Sequence, residues 1–194
     1  MKRAALLVLV VALVAAAGAA AAAKMKVKVQ HDKTFNFTGL KTYAWHPDGA
    51  GDVKILENTI DDPAKIKARL EPVLRQAVDQ ELAKRGMTLV ASLTPDFYVN
   101  YYVLIGPASS SQYQGQFIGA VPAWGLPDFM MSTTALKAFE QGSIILDISA
   151  VSLKTVVWRA VAQAEIDRQR SDAERTKRIQ DGVREMLKQF PPKK

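Results

Sequence analysis

The chain has 194 residues, with 26 lysines and arginines against 19 acidic residues and no cysteine. The missing cysteine excludes a disulfide scaffold, thiol catalysis, thiolate metal sites and the acylated cysteine of a bacterial lipoprotein. The formal net charge of +7 is compatible with an anionic lipid or a polyanionic partner. With 48% hydrophobic residues the composition is that of an ordinary globular domain, so charge alone selects no partner.

The N-terminus has the three-part order of a secretory signal peptide. Basic residues are followed by a strongly apolar run over 4–14 and by small residues over 15–23 that contain A-x-A cleavage sites. A retained membrane anchor is the alternative, but the strongly apolar run is shorter than the roughly 20 residues that a spanning helix needs. The sequence therefore predicts a signal peptide over 1–23 and a single mature domain over 24–194, located in the periplasm and soluble or loosely associated with an envelope membrane.

The first part of the mature chain predicts two strands and a loop. Residues 25–30 alternate apolar with basic or polar side chains, which indicates a half-buried strand, and residues 41–45 form a second short strand. The turn sequence HPDG then begins a predicted loop over 46–58.

A helix is predicted after this loop. Asp62 is a suitable N-cap, Pro63 suits the first helical position and Gly86 offers a left-handed exit. Pro72 conflicts with an uninterrupted helix because it removes one backbone hydrogen bond and crowds the preceding turn. It is expected to kink the helix or to mark its true start.

The second part of the chain predicts the centre of the sheet. Residues 87–91 resume extended structure, and residues 97–105 are β-branched and aromatic throughout, which is typical of a central strand. Residues 143–151 and 155–166 predict a hairpin.

The register of this hairpin predicts specific cross-strand neighbours. A three-residue loop at 152–154 places Trp158 opposite Ile148 and, on the outer face, Arg159 opposite Asp147. We therefore expect Asp147 and Arg159 to form a structural ion pair.

The last helix opens with a capping box formed by Ser171 and Glu174, followed by an apolar stripe. Its basic residues are expected to form its solvated face: Arg168, Arg170, Arg175, Lys177, Arg178 and Arg184. The predicted fold class is α+β, with a mainly antiparallel sheet in the order β-β-α-β-β-β-β-α and both amphipathic helices on one face.

Residues 106–141 form a long segment rich in Ser, Gly, Gln and Pro, which is unusual inside a small domain. Large apolar side chains interrupt it: Tyr113, Phe117, Trp124, Phe129, Met130 and Met131. Such side chains are costly to leave in water, so they fold back on the sheet, meet a partner or touch a membrane surface. This segment is the predicted binding site.

Several landmarks occur in a recognisable order over nearly the whole mature chain. They are KTYAW at 41–45, PDFYVNY at 95–101, GSIILD at 142–147, VWR at 157–159 and FPP at 190–192. In these features the chain resembles the bacterial envelope family known as domain of unknown function 4136. The resemblance implies an exported, often lipid-anchored domain without established catalytic residues. The chain departs from the family in lacking the lipidation cysteine and in having Ala160 where glycine is expected.

Two functions of different classes follow. The first is a non-enzymatic envelope domain that binds an unknown envelope protein or polymer through 106–141 and the sheet face, with a membrane surface as a further partner. The alternative is a hydrolase with a carboxylate–histidine site at His31, His46 and Asp96. No motif for a cofactor, a metal or a catalytic nucleophile occurs, so none of these is expected. Export and the absence of a basic, base-stacking pattern also argue against a nucleic-acid partner.

Overall fold

The computed structural model describes residues 25–55, 62–91, 94–106 and 142–192. The predicted signal peptide and the six apolar side chains of the 106–141 segment lie outside these ranges. The elements are β1 (Lys26–His31), β2 (Thr42–Trp45), β3 (Gly51–Ile55), α1 (Pro63–Ala83), β4 (Thr88–Leu89), β5 (Phe97–Ile105), β6 (Gly142–Ala150), β7 (Thr155–Ala164) and α2 (Asp172–Leu187).

The strands form one mixed sheet in the order β1-β7-β6-β5-β2-β4, with β3 also beside β5. The strands β1, β7, β6 and β5 are antiparallel neighbours, whereas β2 and β3 run parallel to β5 and β4 runs parallel to β2. The α+β class is confirmed, but the prediction of a mainly antiparallel sheet is wrong. The predicted element order is also wrong, because the expected loop over 46–58 contains β3. The parallel pairing is possible because α1 carries the chain back to the start of the sheet before β5 begins.

β2 and β3 are two segments of one interrupted strand line along the same edge of β5. Tyr43 pairs with Phe97 in the first segment, and Gly51 pairs with Tyr101 in the second. Gly51 is required by this close approach, since a Cβ there would lie 2.1 Å from the Tyr101 carbonyl oxygen. β2 and β3 therefore pair with consecutive parts of β5, and the turn over 46–50 projects from the sheet between them.

Both helices begin where their capping residues predict. The Asp62 side chain accepts hydrogen bonds from the backbone N–H groups of Ala64 and Lys65, and Ser171 and Glu174 form the reciprocal capping box. Pro72 lies inside α1 on its exposed side, so it does not mark the start of the helix. Within the described ranges, neither helix is both long enough and apolar enough to cross a membrane.

The main core lies between the helices and one face of the sheet. The helices contribute side chains with no exposed surface: Leu74, Val78, Leu82, Val183, Met186 and Leu187. Each such side chain stabilises the fold by about 1.5–3 kcal/mol relative to full exposure. At one end of this core the Phe190 ring contacts Phe97 and Trp158 edge-on, with centroid distances of 5.6 and 5.3 Å.

The opposite face of the sheet is also buried. Tyr102, Leu104, Ile145 and Val161 are at most 9% exposed and do not belong to the main core. A strand with both faces buried shows a continuous apolar run instead of an alternating one. This explains why 97–105 has no polar face in the sequence.

Candidate ligand-binding cavity

The predicted carboxylate–histidine site does not assemble. His31 ends β1, and His46 follows β2 and packs edge-on against Tyr98 at a centroid distance of 5.3 Å. β1 and β2 are separated by β7, β6 and β5. Four strand spacings of about 4.8 Å put the two histidines roughly 19 Å apart, far beyond hydrogen-bond reach.

Asp96 has a structural role at the entrance to β5. One of its carboxylate oxygens accepts hydrogen bonds from the backbone N–H groups of Lys41 and Thr42, at 2.8 and 2.7 Å, and from the Thr42 hydroxyl at 2.9 Å. The hydrogen bonds from the Lys41 and Thr42 backbone lower the pKa of Asp96 most. The Asp96 carboxylate thus connects the start of β2 to the start of β5 through hydrogen bonds.

Asp147 and Arg159 stand opposite each other on the second face of the sheet. The guanidinium donates through Nε to Oδ1 and through Nη2 to Oδ2, each at 2.6 Å. The Asp147 side chain is 1% exposed and the Arg159 side chain 6%. Although the pair was expected on an outer face, it is fully buried.

A cavity of about 350 Å³ lies between the N-terminal halves of α1 and α2 and the adjacent end of the sheet. We call it the interhelical cavity. Its apolar lining includes Ile66, Leu70, Val103, Ile105, Ile144 and Ile179. The size is at the lower end of the range for small-molecule sites, and the predominantly apolar lining is typical of them.

Five arginines also line the interhelical cavity: Arg69, Arg168, Arg170, Arg175 and Arg178. Among the described residues, the carboxylates that line it are Glu165 and Asp167. The sequence predicts four of these arginines on the solvated face of the last helix. The structure instead places them around an apolar recess.

Four of the five arginines have an interaction partner, and Arg69 has none among the described residues. Arg170 Nε lies 3.3 Å from an Asp167 oxygen, and Arg175 Nη1 lies 3.1 Å from Asp172. Arg69 is exposed, and its guanidinium has no hydrogen-bond or ion-pair partner in the part of the chain that the structure describes. Burial lowers the pKa of Arg178, and the nearby charge of Arg170 lowers it further. The rim therefore favours an anion.

The relative direction of the two helices determines which of their ends lie at the interhelical cavity. The Arg85 side chain near the end of α1 donates to the Phe190 carbonyl just beyond α2, so the two helices run side by side in the same direction. Both N-termini consequently flank the interhelical cavity, with their positive dipole ends offset by the capping carboxylates of Asp62 and Glu174. The arrangement can hold a ligand that has an apolar body and a negative end.

The described residues contain no arrangement that points to metal chemistry. Over 25–55, 62–91, 94–106 and 142–192, no three His, Asp or Glu side chains are grouped so that they could hold a metal ion. The cavity lining contains no histidine.

Comparison with solved structures finds distant likeness of fold. A crystal structure of a PDZ domain protein from Parabacteroides distasonis aligns with 89% of this chain at 16% identity and a TM-score of 0.50. This chain spans 37% of the length of that protein. The PelC dodecamer from Paraburkholderia phytofirmans aligns with 88% of this chain and 100% of its own, at 9% identity and a TM-score of 0.39.

Sequence comparison gives a more specific result. No curated protein matches the chain at a significant level. The family described as "Domain of unknown function (DUF4136)" matches residues 27–192, which is nearly all of the predicted mature chain. The chain therefore belongs to the family of the domain of unknown function 4136.

Proposed function

We propose that this protein is a non-enzymatic binding domain of the bacterial cell envelope. The observation that supports this best is the interhelical cavity, an apolar recess with a positively charged rim. A recess of this kind suits binding, because it combines apolar surface for affinity with a few charged groups for orientation. The wide separation of His31 and His46 argues against the alternative hydrolase.

The predicted binding segment is continuous in sequence with this cavity. Ile105 and Gly142 pair across β5 and β6, and both line the cavity. Residues 106–141 therefore leave and rejoin the described fold at the cavity wall. We propose that this segment, the cavity and the neighbouring sheet face bind the same envelope component, and that the signal sequence takes the protein to the periplasm.

Site-specific photo-crosslinking in intact cells tests this proposal. A photoreactive amino acid replaces Ile166, which lines the cavity and is 36% exposed. The matched control replaces Leu153, which is 51% exposed in the β6–β7 turn outside the cavity lining. We expect an envelope-derived adduct at position 166 and none at position 153. Equal labelling at both positions would contradict the proposed site.

Deleting residues 108–138 tests the role of the segment. The deletion leaves all described strands and helices in place, so we expect cooperative unfolding to be kept. Labelling at position 166 should fall strongly. Unchanged labelling together with a folded deletion variant would remove the segment from the proposal. Cell fractionation of the same strains tests the location, since recovery of the unprocessed chain with cytosolic proteins would contradict export.

A further inference from the structure

We propose that the free edge of β1 binds an extended acidic segment of another protein as an additional antiparallel strand. β1 follows Met25, which lines the interhelical cavity, and ends at His31, which lines a separate recess. The edge is therefore a second surface, distinct from the cavity. Unpaired backbone groups, the charge of Lys28 and the recess beside His31 support strand addition at this edge.

The backbone of β1 has unpaired groups on the side away from β7. Among the described strands β1 pairs only with β7, and the Asp32 N–H donates to the Val157 carbonyl at 2.8 Å in the same register. Hydrogen-bonded pairs alternate along an antiparallel ladder, so Val27, Val29 and His31 point their N–H and C=O groups outward. These three residues have no further backbone hydrogen bond within the described ranges. An added strand would pair all of these groups.

The charge of Lys28 selects an acidic partner. Lys28 is exposed, and because the flanking valines pack against the main core, it points to the opposite face of the sheet. Its neighbours on that face are Lys26 and Gln30 along β1 and Val161 across on β7, none of which has a carboxylate. Lys28 itself has no ion pair in the part of the chain that the structure describes. Opposite charges on facing strands stabilise pairing, whereas a second copy of β1 would add its own lysines to this face.

A recess of about 300 Å³ at the end of this edge selects an apolar side chain. Its lining includes aromatic rings, a proline and one pair of opposite charges: His31, Asp32, Lys33, Phe35, Phe37 and Pro192. The two charges offset each other, so the ring walls favour an apolar group such as leucine. In strand addition the main-chain hydrogen bonds give affinity and pockets of this kind give specificity. His31 and Lys28 are three residues apart on opposite faces, so the partner needs an apolar and an acidic side chain at the same spacing.

Fluorescence anisotropy of the purified protein with labelled heptapeptides tests this proposal. The probe consists of threonine and valine, with one leucine and one glutamate three residues apart. Replacing the leucine by serine should weaken binding at least about tenfold, because the recess then stays empty. Replacing the glutamate by glutamine should weaken binding about threefold, as expected for an exposed ion pair, and replacing it by lysine should weaken binding further. Equal binding of the glutamate and lysine probes would overturn the acidic partner.

Methylation of single peptide nitrogens tests the strand pairing itself. In the antiparallel register the leucine lies opposite His31, so the leucine N–H donates to β1. The glutamate lies opposite Lys28, where the peptide N–H points away from β1. We expect N-methylation of the leucine to abolish binding and N-methylation of the glutamate to preserve it. Equal effects at the two positions would exclude an added strand.

Variants of the protein locate the two ends of the peptide. Lys28→Gln should remove the difference between the glutamate and glutamine probes, whereas Lys65→Gln, at the exposed start of α1, should leave it unchanged. Thr38→Trp should fill the recess and weaken the leucine probe while leaving the serine probe unaffected. If Lys28→Gln and Lys65→Gln have the same effect, Lys28 does not contact the glutamate.

Val29→Pro separates the competing occupants of the edge. It removes an outward N–H and leaves the β1–β7 ladder intact, so a variant with a normal thermal midpoint should bind the probe at least about tenfold more weakly. Sedimentation should show a monomer before and after the substitution. A dimer that Val29→Pro converts to a monomer would assign the edge to a second copy and overturn the acidic peptide. Labelling at position 166 should persist in Val29→Pro, and its loss would contradict the separation of the edge from the cavity.

Discussion

Arg159 closes a two-pronged ion pair on Asp147 across β6 and β7, with both N–O distances at 2.6 Å and both side chains buried. A pair of this kind contributes little net stability compared with apolar residues, because both charges must first be removed from water. Removing only one partner lowers stability strongly, since the other charge is then left buried without its counterion. Asp147 and Arg159 are thus each tolerated as buried charges only while the other is present.

We expect Arg159→Met to lower the free energy of unfolding by about 3–5 kcal/mol, because it strands the Asp147 carboxylate. Urea unfolding monitored by circular dichroism measures the change. The double variant Asp147→Leu/Arg159→Met should regain most of the loss. The exposed pair of Arg184 with Asp181 is the control, and Arg184→Met should cost less than about 1 kcal/mol. Equal costs for the two single variants would show that the buried pair is accessible to water.

Asp79 connects α1 to β2 through one carboxylate oxygen. Its Oδ1 accepts from the Tyr43 hydroxyl at 2.7 Å and from Trp45 Nε1 at 3.1 Å. Asp79→Ala should lower the free energy of unfolding by about 2–3 kcal/mol, because it leaves two largely buried donors unpaired. In a double-mutant cycle with Tyr43→Phe, the second substitution should cost less in the Asp79→Ala background than in the wild type. Additive costs would contradict a shared hydrogen bond.

Tyr102 makes the fold sensitive to alkali. Burial first and the nearby negative charge of Asp147 second raise the pKa of Tyr102 to about 12, against a lowering by Arg159. The folded state therefore holds the phenol proton more tightly than the unfolded chain, whose tyrosines titrate near about pH 10. The resulting stability is complete below about pH 10 and is lost as pH rises through about 12.

Urea unfolding over this pH range measures the effect. Tyr102→Phe should reduce the pH slope of the unfolding free energy by up to about 1.4 kcal/mol per pH unit. Burial also raises the pKa values of Tyr43 and Tyr101, so part of the slope remains in this variant. Tyr98→Phe, on the same strand, is the control. A slope that is unchanged by Tyr102→Phe would contradict the burial of the phenol.

Gly51 tests the contact between β3 and β5. Gly51→Ala should destabilise the protein by about 2–3 kcal/mol, because the new Cβ meets the Tyr101 carbonyl oxygen at 2.1 Å and the strands must separate. Gly142→Ala is the control, since its Cβ meets only side-chain atoms of Ile166 at less than 3 Å, and that side chain is exposed and can move. Thermal unfolding compares the two. A smaller loss for Gly51→Ala than for Gly142→Ala would refute the close approach.

Local chemistry made several elements predictable from the sequence. Asp62 and the Ser171–Glu174 box define helix starts through side chains only two or three residues from the groups they bind. Trp158 pairs with Ile148 as expected, but the predicted three-residue loop is wrong, because the turn has four residues (151–154) and an irregularity beside Ser149 restores the expected pairing. These features are determined by residues that are close together in the chain, so they can be predicted from a single sequence.

The missed features depend on distant parts of the chain. β3 begins with a glycine and follows a turn, and its partner Tyr101 lies beyond an entire helix, so no local pattern indicates it. The interhelical cavity has the same origin: Arg69 and Arg178 are more than a hundred residues apart, and both have the spacing of a solvated helix face. The apolar, arginine-rimmed recess exists only once both helices are packed.

The two ends of the sheet differ in how their side chains are arranged. At one end, rings from β5, β7 and the residue after α2 interlock around Phe190, so a change of shape there disturbs the whole molecule. At the other, Ile55 pairs with Ile105 and Ile105 pairs with Gly142, and the latter two residues line the cavity. A substitution in the cavity lining at that end does not touch the ring cluster around Phe190. The cavity end can therefore change its chemistry while the packing that holds β5, β7 and the end of α2 together stays intact.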